Sequence, residues 1–170
     1  MAAKTYLFLP EGKMMKQGYV LKDDAGNAVC EAKVLKQPLF GAAVIEFVNH
    51  LTGKSEEHKV GHTVTTETSG GMGDVLSTKS RFKFDGENIW DFLHGKGIRI
   101  DSNFSGNKLG MTYTVTLKGQ PFATLASTTP GGKSLLTSSH CYDVTVEEDD
   151  LDLAFLVAFA IARTDQTFYS

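Results

Sequence analysis

From Leu153 to Ala162 the chain reads Leu-Ala-Phe-Leu-Val-Ala-Phe-Ala-Ile-Ala, an unbroken apolar run with acids ahead of it and Arg163 behind it. At helical spacing the run divides into four rows: Leu153, Val157 and Ile161; Phe155 and Phe159; Ala154, Ala158 and Ala162; Leu156 and Ala160. No row is polar, so such a helix has to be covered on every side. The run falls well short of the roughly 20 apolar residues that cross a bilayer, and a run of its size predicts a buried core helix. Glu147, Glu148, Asp149, Asp150 and Asp152 at its start and Arg163 at its end suit the helix dipole, with Asp149 or Asp150 placed to cap the first turn. Burying its large side chains stabilises by roughly 1.5 to 3 kcal/mol each, a total comparable with a domain's whole net stability. A core helix is expected over residues 151–163, and the rest of the chain must wrap it.

What wraps it is strand. Between Thr5 and Thr145, short β-branched and aromatic runs alternate with Gly, Asn, Asp and Pro clusters, the pattern of antiparallel strands and hairpins. Asp24-Ala25-Gly26-Asn27 reads as a hairpin turn, and Gly61 as a bulge within the strand around Val60, His62 and Val64. Asp85 to Gly95 breaks the alternation. An aspartate cap, Ile89, Trp90 and Leu93 at helical spacing and a closing glycine predict a short helix over 86–94. There is also an internal echo: Tyr19 to Ala32 and Tyr113 to Ala126 each read as an aromatic-led strand, a glycine turn and a second strand ending in alanine. Two similar halves joined by the short helix fit that echo. With strands every 8 to 12 residues or so, the chain ahead of the core helix holds about a dozen, enough to enclose a helix. The 170 residues, 41% hydrophobic and 10% aromatic, predict one domain over 1–170. Its expected fold is all-β with a central helix: a closed antiparallel barrel of about twelve strands around the hydrophobic C-terminal helix.

The Asp23-Asp24-Ala25-Gly26-Asn27 turn, the repeat-like halves and the closing helix running into Arg163-Thr164-Asp165 resemble the tubby C-terminal-like superfamily, and within it the LURF-one-related proteins. The likeness spans essentially the whole chain and rests on architecture rather than on catalytic motifs. It implies a twelve-stranded barrel skewered by the C-terminal helix. The superfamily's better-studied branches are phosphoinositide-binding tubby domains and phospholipid scramblases. The chain has neither the palmitoylatable cysteine cluster nor the membrane-length span of scramblases, so those features are not carried over.

A net charge of -3 gives no global field to draw in nucleic acid, so no nucleic-acid partner is expected. The N-terminal stretch is too short in apolar residues and too interrupted for a secretory signal, which makes the cytoplasm the expected location, with peripheral contact at a membrane. Cys30 and Cys141 fall in opposite phases of the sheet wall and are expected as free thiols. Lys79, Arg81 and Lys83 alternate along one strand, about 7 Å apart, and form a candidate ligand-binding ladder for lipid or nucleotide phosphates.

Other motifs fail on their own geometry. Pro130-Gly131-Gly132-Lys133-Ser134 lacks the first P-loop glycine and a following helix, and the glycine-rich Ser69 to Gly73 loop also lacks a helix. Asp101 to Gly106 begins like a calcium loop but meets Thr112 where a glutamate is needed, and reads as a turn. His58 and His62 have zinc-helix spacing, yet in a strand they stand about 13 Å apart. Ser138, Ser139, His140 and Asp143 lack a nucleophile elbow. Trp90 and Phe92 read as the plug of a barrel end.

Two function classes follow. The first is a non-enzymatic binding or scaffolding domain that recognises an anionic lipid or a phosphorylated ligand through Lys79, Arg81 and Lys83, with a protein partner as its scaffolding form. The second is an enzyme or small-ligand protein with a pocket at a barrel rim, gathering His140, Asp143 or His94. No catalytic residue, metal ligand or cofactor is assigned.

Overall fold

The computed structural model describes residues 4–11, 18–36, 42–68, 76–104, 111–127, 141–147 and 150–169; over 62–68, 76–82, 102–104, 111 and 163–169 it is the backbone path that is described. Among the described residues the elements are β1 (Lys4–Glu11), β2 (Gly18–Lys22), β3 (Ala28–Lys36), β4 (Ala43–Asn49), β5 (Lys54–Thr68), β6 (Leu76–Phe84), β7 (Glu87–Asn88), α1 (Ile89–Gly95), β8 (Ile98–Phe104), β9 (Met111–Leu117), β10 (Gln120–Ser127), β11 (Tyr142–Val146) and α2 (Leu151–Tyr169). The protein is mostly antiparallel β-sheet with two helices.

All eleven strands belong to one sheet, in the order β7-β6-β5-β4-β3-β2-β1-β11-β10-β9-β8. Two meanders meet at the β1–β11 pair, where Tyr6 stands opposite Val144. One runs outward from β1 to β7 and the other runs back inward from β8 to β11. The chain therefore passes from one outer edge of the sheet to the other between Asn88 and Ile98, mostly through the single short helix α1. Ten flat inter-strand steps at about 4.8 Å would separate those edges by roughly 48 Å, whereas so short a linker spans at most about 35 Å even fully extended. The sheet has to curl until its edges approach one another. α1 sits in that gap, packed against β6, β7 and β8, with Ile89 and Leu93 fully buried.

This differs from the closed twelve-stranded barrel expected from the sequence. Among the described residues the sheet has eleven strands and is not closed by hydrogen bonds: β7 pairs only with Lys83 and Phe84 of β6, and β8 pairs with β9. The physical reason is α1, whose buried face occupies the place where edge would meet edge.

Two local expectations also change. Asp85 does not cap α1; Asn88 does, its side-chain oxygen accepting from the amides of Trp90 and Asp91. Asp85 (φ 52°) and Gly86 (φ 83°) instead form a two-residue hairpin turn between Phe84 and Glu87, the left-handed pair that matches strand twist. Gly61 is not a bulge, since the β5–β6 register runs through it unshifted. It lies where Ala42 comes close: a Cβ there would stand 3.3 Å from the Ala42 Cα.

The echo between the halves falls on matching hairpins, β2–β3 and β9–β10, whose lead tyrosines Tyr19 and Tyr113 are both buried. Along α2, Ala154, Val157, Ala158, Phe159, Ala160 and Ala162 are wholly inaccessible. The helix is covered along its length, as its lack of a polar face requires, except at Leu153 and Leu156, which stay half-buried. Asp150 Oδ1 accepts from the Leu153 amide at 3.1 Å, which gives the helix its cap. The helical backbone continues past Arg163 to Tyr169. An aromatic layer ties the helix to the wall: Phe159 packs edge-on to Tyr19 at 5.6 Å and to Phe47 at 5.1 Å, and Phe155 lies 5.7 Å from Phe8. Among the described residues no helix is long and apolar enough to cross a membrane.

Candidate functional site: a rim cleft at the start of α2

Leu153 and Leu156, alone among the apolar α2 positions from Leu153 to Ala162, are only half-buried. They open onto a cleft of about 270 Å³ whose floor also includes Phe47, Phe84, Phe92 and Phe155 and whose rim carries Lys54, Glu56, His58, Lys96, Asp150 and Asp152. The floor is a mosaic of elements. Phe47 comes from β4, Phe84 from the end of β6, Phe92 from α1 and the remainder from α2. Phe84 lies 5.4 Å from Phe92 and 6.0 Å from Phe47, ring centre to ring centre.

His58 enters this wall because it shares the inward phase of β5 with buried Val60. Its ring lies 4.5 Å from Phe84 and 5.4 Å from Phe47, so its faces are apolar and its nitrogens must find partners at the edge. Nδ1 is 2.6 Å from Asp85 Oδ2. Asp85 is held in turn, accepting the Lys59 amide at 2.8 Å on its other oxygen while its own amide donates to the Lys59 carbonyl. The Asp85-Gly86 turn thus delivers a carboxylate to the histidine. Nε2 faces Glu56 Oε2 at 3.4 Å, and Glu56 Oε1 meets the Lys54 ammonium at 3.2 Å. Lys54's hydrogen bond to Glu56, reinforced by the fields of Asp152 and Asp150, raises the ammonium above the usual lysine range. The same hydrogen bond holds Glu56 below the usual carboxylate range.

The opposite lip is the α2 N-terminus. Asn49, the one buried polar residue among those described, donates from Nδ2 to Asp152 Oδ1 at 2.8 Å and accepts the Leu51 and Thr52 amides on Oδ1. It fastens the β4–β5 turn to the helix. Behind this lip lies Cys30, whose thiol is pushed up to about 12 by burial and by the Asp152 carboxylate. On the α1 side, the Lys96 ammonium sits 5.0 Å above the Phe92 ring and makes no ion pair among the described residues.

The residues singled out from sequence fall elsewhere. Lys83 is exposed and pairs in register with Gly61; Lys79 and Arg81 stand opposite Thr65 and Thr63, and their side chains lie outside the described residues. His94 and Asp143 are exposed and do not line the cleft. His140, Ser138, Ser139, the Ser69 to Gly73 loop and Pro130 to Ser134 lie outside the described residues, as does the His62 side chain. Asp101 to Phe104 continue β8 rather than forming a turn, with Asn103 opposite Thr112. Trp90 and Phe92 pack half-buried against the core. Cys30 and Cys141 are both buried, and neither forms a disulfide among the described residues. No cluster of three or more His, Cys, Asp or Glu side chains able to hold a metal occurs among the described residues.

A pocket at the rim was among the expectations, but none of the residues assigned to it lines the cleft, because the members that do are scattered over the chain. The available signals were a polar histidine in the inward phase of a strand and an Asp-Gly hairpin turn placed to meet it. Comparison with protein-family models, with curated proteins and with solved structures finds no match to this chain.

Proposed function

We propose that this chain is a non-enzymatic binding domain that takes a small ligand, apolar in body and polar at one end, in the rim cleft. The observation that carries the reading is the pairing of an aromatic floor with a charged, hydrogen-bonded rim in one concavity. Ligand sites are built this way, apolar walls supplying affinity and a few polar groups supplying orientation, and about 270 Å³ lies near the small end of their usual volumes. The resemblance to LURF-one-related proteins fits this reading: the curled sheet, with α1 in the gap between its edges, is proposed as a variant of that barrel, acting in the cytoplasm.

The test uses a neutral, environment-sensitive dye such as Nile red with the intact chain. Its fluorescence should rise on binding, and Leu156→Trp, which fills the cleft from its half-buried floor, should abolish the rise without lowering the melting temperature. A dye signal untouched by Leu156→Trp would overturn the assignment.

A second reading is favoured by the exposure of Lys83 on β6: an anionic lipid or phosphorylated ligand held on the outer strand by Lys79, Arg81 and Lys83. Liposome sedimentation decides it. Binding to anionic vesicles should weaken with salt, because exposed cations are screened over about 8 to 10 Å, and should vanish in the triple alanine variant. Vesicle binding that ignores both would remove it.

A further inference from the structure

The two edges of the sheet do not meet, and the seam between them lies apart from the rim cleft. Glu87 and Asn88 of β7 pair with Phe84 and Lys83, after which the chain leaves the sheet for α1. From Leu76 to Phe82 the same edge of β6 has no strand partner among the described residues, and β8 has none on the side away from β9. We infer that this seam takes up an extended peptide as an added strand, one that alternates apolar and acidic side chains.

The first support is the backbone. A sheet edge presents unpaired amides and carbonyls, which is the template for strand addition. Neither edge is interrupted by a bulge, since the β5–β6 and β8–β9 registers run unshifted, and neither strand contains a proline. The second is width. α1 stands at the end of the seam where β6 finishes and β8 begins, packed against β6, β7 and β8. A helix is about 10 Å across, which equals two inter-strand steps of about 4.8 Å, the separation that admits one strand between two others. β7 already occupies that line for two residues. Neighbouring strands alternate in direction around the sheet, so β6 and β8 run in opposite senses, and a strand continuing the line of β7 runs antiparallel to β6 and parallel to β8. The same width excludes a second copy of the fold, whose edge strand would bring its own neighbour with it. The third is the side chains on either flank. Buried Phe84 and Ile98 and half-buried Ile100 mark the inward positions, so every second residue of the guest meets the core. Outward, exposed Lys83 shares its face of β6 with the register positions of Lys79 and Arg81, and β8 presents exposed Arg99 and Asp101. Cations outnumber acids along the seam, and opposite charges on adjacent strands attract, so the outward residues of the guest are carboxylates.

The probe is a capped, fluorescently labelled peptide, Val-Glu-Val-Glu-Val-Glu-Val, matched to the seven residues of β8. It is titrated against the intact chain by fluorescence anisotropy, and amide hydrogen exchange is followed with and without it. The peptide should bind, slow exchange along β6 and β8, and bind more weakly as salt rises. Its lysine counterpart and a version N-methylated at every second residue should each bind at least about tenfold more weakly, the first through charge and the second through lost main-chain hydrogen bonds. The triple alanine variant of Lys79, Arg81 and Lys83 should weaken binding of the acidic peptide without lowering the melting temperature, because exposed charges contribute little to stability. Absence of binding by the acidic peptide, or equal binding by the lysine or N-methylated peptide, would overturn the inference. Amides of β6 and β8 that exchange in the free chain as slowly as those of β1 and β11 would also overturn it, by showing the seam already filled; sedimentation equilibrium then tells a segment of the same chain from a second copy. None of these outcomes bears on the rim cleft, whose dye test stands separately.

Discussion

Asn49 should be one of the costliest polar residues in the protein to replace. It is 5% exposed and makes three hydrogen bonds: from its amide nitrogen to Asp152 at 2.8 Å, and to its oxygen from the amides of Leu51 at 2.9 Å and Thr52 at 3.2 Å. The bond to the carboxylate is charge-assisted and contributes about 1.5–3 kcal/mol, and each turn amide about 0.5–1.5 kcal/mol, less whatever water recovers in the variant. Asn49→Ala should therefore destabilise by about 2–4 kcal/mol, a large share of the roughly 5–15 kcal/mol that holds a domain together. In a chain of this length that lowers the melting temperature by roughly 5–15 °C. Urea unfolding followed by tryptophan fluorescence measures it, with Trp90 as the reporter. A charge-order swap isolates the mechanism. Asn49→Asp keeps the acceptor for the turn amides but sets two carboxylates face to face, while adding Asp152→Asn restores one donor and one acceptor across the same gap. The double variant should be more stable than Asn49→Asp alone. The reasoning fails if Asn49→Ala costs under about 0.5 kcal/mol, the size of an ordinary surface change, or if the swap gives no recovery.

Cys30 gives a pH prediction. Its thiol is raised from 9.0 to about 12, so below pH 9 both states keep the proton and the effect is absent. Between those values the unfolded chain ionises while the folded one does not, and stability falls by about 1.4 kcal/mol per pH unit; urea titrations at pH 8 and pH 10 should show a steeper alkaline loss in wild type than in Cys30→Ala. Val157→Asp should prevent folding, because it puts an unpaired carboxylate into the wholly buried face of α2; a soluble, cooperatively melting variant would contradict the packing. Gly18→Ala should cost about 3 kcal/mol by the same urea assay, since its Cβ would stand 2.0 Å from the Ala32 carbonyl oxygen and the β2–β3 pair has to part to admit it.

The helix and the sheet were legible from sequence because each rests on a local period. The four apolar rows of α2 state that it is buried all round, and the alternation through Lys33, Val34 and Lys83, Phe84 states which side of a strand faces in. The turns at Asp24 to Asn27 and at Lys118-Gly119 were legible for the same reason. Closure was not, because whether the edge strands β7 and β8 meet depends on what lies between them, and nothing local to Ile89 or Leu93 says that their helix will stand in the gap. The Asp85-Gly86 pair had two valid local readings, helix cap and hairpin turn. The register of Phe84 with Glu87, a tertiary fact, chose between them.

The cleft follows from a conflict built into α2. A helix without a polar face is most stable when every row is covered, yet its first turn has unpaired amides that need water or a cap. Asp150, Asp152 and Asn49 meet that need at the rim, and their presence keeps the sheet from closing over Leu153 and Leu156. Apolar surface and charge are thereby forced into contact at one end of the barrel-like wall, and some concavity there is a consequence of the fold. His58 is not. Val60, two residues along the same phase, shows that the wall accepts an aliphatic side chain, and the rings of Phe47 and Phe84 would pack against one at position 58. A histidine there takes a partner at each ring nitrogen, Asp85 at Nδ1 and Glu56 at Nε2, where a hydrocarbon would need none. Burial alone does not call for that arrangement, whereas a polar edge kept at the mouth of an apolar cleft, as the proposed ligand site needs, does.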